Sequence, residues 1–123
     1  MYAPAAVACH AHSASTDQAS DLFAFQNERN RLLTLTRCAP AGFAFRQVLR
    51  FPLTTASISV RRASGGPTPP GAHFRTGVRL RVLGSYLRLL PWALRSRRRI
   101  GRMSTVHRRR VLREWAGVAE RDR

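Results

Sequence analysis

The residues able to do chemistry gather near the start of the chain. His10 and His12 are two apart, and on an extended segment that spacing turns both imidazoles to one face, where they can share a metal ion or flank a phosphate. Two histidines do not make a self-sufficient site, and no carboxylate or third ligand stands at a suitable spacing. A histidine at a strand end is more ordinarily just hydrogen-bonded. Ser13, Ser15 and Thr16 follow with hydroxyls whose ordinary role is to cap a helix, and Glu28-Arg29-Asn30-Arg31 falls on the helix so capped. Cys9 and Cys38 have neither metal-type nor redox-type spacing. No catalytic triad, Walker loop, dinucleotide fingerprint or paired-carboxylate site is present, and the six acids read as helix and tail charges.

The elements that must position these residues follow from periodicity and breakers. Residues 2–9 are short, apolar and begin beside Pro4, which suits the first residues of a strand. Ser15 and Gln18 have capping-box spacing and Asp17 and Asp21 favour a helix N-terminus, so a helix is expected from near residue 16 to about Arg37. Leu22, Phe25, Leu32 and Leu35, with Phe23 and Leu33, form its apolar stripe. Pro40 suits the first position of a second helix that buries Phe43, Phe45, Val48, Leu49 and Leu53 and that Pro52 should end or kink.

Residues 63–73, rich in Gly and Pro, read as a flexible linker. Beyond it Leu83, Leu87, Leu90 and Leu94 share one helical face and Arg81, Ser85, Arg88 and Arg95 the opposite one, with Pro91 as a kink and Trp92 at an apolar–polar boundary. Ser104 or Thr105 should cap a final helix carrying Arg108, Arg109 and Arg110. The expected fold is mainly α: one short N-terminal strand, then four or so amphipathic helices, organised as residues 1–62, the linker 63–73 and an Arg-rich tail 74–123.

Composition narrows the partners. The 22 basic residues are all Arg against 6 acids, a formal charge of +16 in 123 residues. Residues 1–73 contribute +4 and residues 74–123 contribute +12. Exclusion of Lys reads as the codon usage of a GC-rich genome more than as selection for phosphate forks. No secretory signal and no apolar run of spanning length is present. Such a charge suits an anionic membrane surface, met by Arg81, Arg88, Arg95, Arg97, Arg98 and Arg99, and it equally suits helices that pack their Leu face on the rest of a domain and leave the Arg solvated outside. Nucleic acid is the alternative polyanion, although no zinc knuckle, RNP-type motif, basic zipper or aromatics interleaved with the Arg run support a dedicated role. An open reading frame without selected function is a third reading.

The order Tyr2, Pro4, His10, Ser15, Arg29, Asn30 and Leu32, continuing as Arg-Asn-Arg-Leu-Leu-Thr-Leu-Thr-Arg-Cys-Ala-Pro to Pro40, resembles the C-terminal part of bacterial family 2 glycosyltransferases, with rhamnosyltransferase-like enzymes as the nearest image. The resemblance covers residues 2–40 best. It implies the C-terminal region of an incomplete GT-A catalytic domain, with His10 as one ligand of a divalent Mg or Mn ion and Ser13, Ser15, Arg29 and Asn30 near the diphosphate of a nucleotide-sugar. The family's donor-binding half, DxD motif and catalytic base have no counterpart here. The expectation is therefore a truncated enzyme, inactive as a fragment and holding no metal by itself. It would meet nucleotide-sugar and glycan acceptor only with the missing half supplied. A cytoplasmic place, peripheral on the inner face of the cell membrane, goes with it, because the acceptors of such enzymes are often lipid-linked.

Overall fold

The computed structural model describes Asp17 and residues 19–115. The expected N-terminal strand, with His10, Ser13 and Ser15, lies outside the described residues. Ser20 caps the first helix: its Oγ accepts from the Phe23 N–H at 3.1 Å, and Asp17 Oδ1 accepts from the Ala19 N–H at 2.9 Å. Helix α1 accordingly spans Asp21–Cys38, with Asp21 rather than Asp17 in its first turn. Ala39 and Pro40 are its whole connection to α2, Ala41–Ala63, and Pro40 stands as the N-cap.

Pro52 does not end α2. Its missing N–H removes one ladder bond, but Phe51 and Ile58 bury on either side of it and carry the helix on to Ala63. Gly65 (φ 71°) and Gly71 (φ 106°) then turn the chain through backbone conformations that a side chain would strain. A single 3-10 turn, Ala72–Phe74, leads into α3, Thr76–Met103, which likewise continues through Pro91. Helix α4, Arg108–Trp115, begins after His107 rather than at Ser104 or Thr105. The His107 carbonyl accepts from the Arg110 N–H at 2.9 Å and its Nδ1 accepts from the Arg109 N–H at 3.3 Å, while Ser104 Oγ turns away to the Val106 carbonyl. The fold is mainly α, with four α-helices and no strand among the described residues.

Helices α1 and α3 run in the same direction and form the main contact. Asp21 pairs with Arg75 at 2.7 Å near their N-termini, and Thr36 meets Tyr86 and Arg37 meets Ser96 further along. Helix α2 runs the other way, with Phe51 and Thr55 beside Arg79 and Ala44 and Phe45 beside Leu94 and Arg97. The core comprises Leu32, Leu33, Phe51, Val82, Tyr86 and Ala93, extended at the far end by Ala24, Ala72 and Val78. The two halves flanking the Gly/Pro segment thus pack on each other.

The buried faces leave several large apolar residues outside. On α2 the inward positions are Ala44, Phe51, Thr55 and Ile58, while Phe45 is 68% and Leu53 62% exposed. On α3 they are Val78, Arg79, Val82, Tyr86 and Ala93, while Leu87 is 61% exposed. Small side chains at Ala24, Ala44 and Ala93 let the helices approach closely, and the Leu and Phe rows fall to the side of that contact.

Arg79, only 6% exposed, ties α3 to α2 and to the 3-10 turn. Its Nε donates to Thr55 Oγ1 at 2.9 Å, Nη2 to the Phe51 carbonyl at 3.0 Å and Nη1 to the His73 carbonyl at 3.2 Å, and the guanidinium lies 4.0 Å from the Phe51 ring centroid. Burial pulls its pKa below the ordinary value. Glu28 opposes that shift and Arg31 adds to it.

Candidate functional site

Each exposed Leu of α3 is followed by an Arg: Leu80-Arg81, Leu87-Arg88, Leu94-Arg95, at seven-residue intervals. One residue is 100° on a helix, so the heptad lays an apolar row beside a cationic row. Phe45-Arg46 and Leu49-Arg50 repeat the pairing on α2. The rows of the two helices meet across two apolar grooves. One, of about 370 Å³, runs between Phe45 and Val48 on α2 and Leu90 and Leu94 on α3. The other, of about 180 Å³, lies between Leu49 and Pro52 on α2 and Leu83 and Leu87 on α3. Arg46 on α2 and Arg88, Arg95, Arg98 and Arg99 on α3 are exposed.

A helix apolar on more than one side is expected to be covered on more than one side. Helix α2 has that composition, yet α1 and α3 cover only its Ala44, Phe51, Thr55 and Ile58 side. Exposed apolar rows of this extent mark an interaction surface. No helix among the described residues is long and apolar enough to cross a membrane.

The sequence-predicted site residues distribute as follows. Arg81, Arg88, Arg95, Arg98 and Arg99 are exposed on α3, and Arg81 also stacks 5.4 Å from the Phe25 ring centroid. Arg97 turns inward: its Nη1 donates at 2.7 Å to both the Thr36 and Ala39 carbonyls, closing the C-terminus of α1 where the helix dipole is negative. Burial there, with Arg108 adjacent, lowers its pKa, and Cys38 opposes the shift. Arg29 and Asn30 lie on α1, bonded to each other at 3.2 and 3.4 Å, with Arg29 also reaching Gln26 and the Phe25 ring. They face no cavity among those the helices form. Among the described residues no three His, Cys, Asp or Glu side chains converge, so these residues offer no donor set for the divalent ion implied by the resemblance.

Phe45, Leu49 and Leu87, the central residues of this face, look like core residues when hydrophobicity alone is read. The signal that marks them is the dipeptide repeat, because a core row has no reason to carry an Arg immediately after each Leu. No family model, curated protein or solved structure matches this chain.

Proposed function

We propose that the chain is a peripheral binder of anionic lipid surfaces, which it meets with the α2–α3 face. The observation carrying this reading is the run of exposed apolar side chains on α2 and α3, Phe45, Leu49, Leu87 and Leu94, each followed in sequence by an exposed Arg. An in-plane amphipathic surface buries its apolar side chains at the headgroup boundary and sets cations among the phosphates. Each Arg held near an anionic leaflet contributes about 1 kcal/mol, so Arg46, Arg88, Arg95, Arg98 and Arg99 together supply on the order of 5 kcal/mol before any apolar burial. A second copy of the chain suits the face less well, because two molecules of charge +16 repel. Nucleic acid would engage the Arg rows and leave Phe45, Leu49, Leu87 and Leu94 without a role.

Co-sedimentation with vesicles at 150 mM salt tests the reading. Phosphatidylglycerol-containing vesicles should capture the chain and neutral phosphatidylcholine vesicles should not. The triple variant F45S/L49S/L87S should lose vesicle capture while keeping non-specific duplex DNA binding, whereas R88Q/R95Q/R98Q should weaken both. Capture that survives the apolar triple variant, or that ignores lipid charge, overturns it. Within the glycosyltransferase resemblance the same face would hold an enzyme beside a lipid-linked acceptor. Turnover of a nucleotide-sugar by residues 1–123 alone with Mg²⁺ or Mn²⁺ would sink the expectation of an inactive fragment.

A further inference from the structure

On the other side of α2, away from the apolar face, three guanidiniums from three helices converge on one polar cavity of about 200 Å³: Arg31 of α1, Arg50 of α2 and Arg79 of α3, with Glu28, Gln47 and Thr54 completing the walls. The charges do not cancel. Glu28 is the sole acid in the lining, and its Oε2 already accepts from Arg31 Nε at 3.0 Å and Nη2 at 2.8 Å, while its Oε1 stands 3.8 Å from His73 Nδ1. Arg50 and Arg79 have no carboxylate within ion-pairing distance among the described residues. With Glu28 ionised the cavity holds two uncompensated positive charges.

Donors also outnumber acceptors there. Nη1 and Nη2 of Arg79 each use one N–H on a carbonyl, leaving a second N–H on each without an acceptor among the described residues. The Arg50 guanidinium and the Gln47 amide make no side-chain hydrogen bond among them either. Thr54 Oγ1 donates back to the Arg50 carbonyl, as a threonine on a helix commonly does. Arg79 is buried while Arg31 and Arg50 stand exposed beside it, so an anion entering the cavity meets one desolvated guanidinium with free N–H groups and two accessible ones.

We infer that this cavity is a binding site for a phosphate or phosphomonoester dianion, held by Arg50, Arg79 and Gln47 with Arg31 at its edge. A dianion offsets the net charge of two, which a single carboxylate does not, and guanidinium forks match phosphate oxygens. The cavity is smaller than the roughly 300–1,000 Å³ of ordinary small-molecule pockets, so it admits the phosphate and a short substituent but not a nucleoside. Glu28 acts as the internal competitor that the ligand must tolerate.

Calorimetric titration of the full chain with inorganic phosphate and with glycerol 3-phosphate, in 150 mM NaCl, tests the site. One saturable site is expected, weakened about tenfold or more in R50Q and unchanged in R113Q, a control at an exposed position on α4 away from both faces. E28Q should bind more tightly than the parent chain, a gain that mere damage to the fold cannot produce. Vesicles containing phosphatidic acid form the second arm: capture beyond that by phosphatidylglycerol at equal charge, lost in R50Q and kept in R113Q, identifies a lipid headgroup as the source of the phosphate. Non-saturable binding in the first arm together with no R50Q-specific loss in the second overturns the inference, as does equal loss in R50Q and R113Q or no gain in E28Q. F45S/L49S/L87S should titrate with soluble phosphate like the parent chain, which separates failure of this site from failure of the lipid-facing reading.

Discussion

Replacing Arg79 removes three hydrogen bonds and a ring contact together. Arg79→Ala should cost about 3 kcal/mol in urea denaturation, through the orphaned His73 carbonyl, the lost bridges to α2 and the void left by the stem. Arg79→Met, which fills the space without the charge, should recover part of that loss. The Thr36–Tyr86 hydroxyl pair, 2.8 Å apart, is the second polar tie in the core. Thr36→Val and Tyr86→Phe should each cost about 1 kcal/mol, and the double variant little more than either alone, as a double-mutant cycle by the same measurement will read. Neither role is visible in the residue types. Arg79 is one of fifteen Arg after the linker, and only its place on the helical face of Val82 and Tyr86 distinguishes it from Arg81 two residues on.

At the scale of elements, periodicity is a good guide to where helices lie and a poor one to which side they bury. The helices on either side of Pro40 and the long one after the Gly/Pro segment were all readable, because their breakers are strong. The inward faces of α2 and α3 were not, because each helix carries more apolar residues than its contact covers and the inward rows, Ala44, Phe51, Thr55 and Ile58 on α2 and Val78, Val82, Tyr86 and Ala93 on α3, are offset from the Leu stripe. Pro52 and Pro91 illustrate the same limit: tertiary burial outweighs the single ladder bond each removes. The faces are separable by mutation. Ile58→Ala and Leu32→Ala should each cost about 2–5 kcal/mol in denaturant unfolding. Phe45→Ser and Leu87→Ser should stay within about 0.5 kcal/mol of the parent chain in the same assay.

For the molecule as a whole, charge was legible at once and its arrangement was not. The +16 balance is plain from composition, but only the folded helices show that one side of α2 borders an apolar groove and the other a polar cavity lined by Arg31, Arg50 and Arg79. The cavity draws Arg31, Arg50 and Arg79 from positions scattered across the sequence, with no motif spacing between them. The residues singled out first, His10, Ser13 and Ser15, lie outside the described part of the chain, and Arg29 and Asn30 satisfy one another on the surface of α1.

The pairing of α1 with α3 also sets an order of events during synthesis. Thr36 meets Tyr86 fifty residues further along, so the first helix waits for its main partner while α2 and the Gly/Pro segment are made. At ribosomal rates of roughly 5–20 residues per second that interval lasts about 2–10 s, with Leu32 and Leu33 lacking their α3 partners throughout. A nascent chain halted just before α3 should therefore be captured by chaperones or aggregate. One released after Arg97, which closes the end of α1, should be protected from protease.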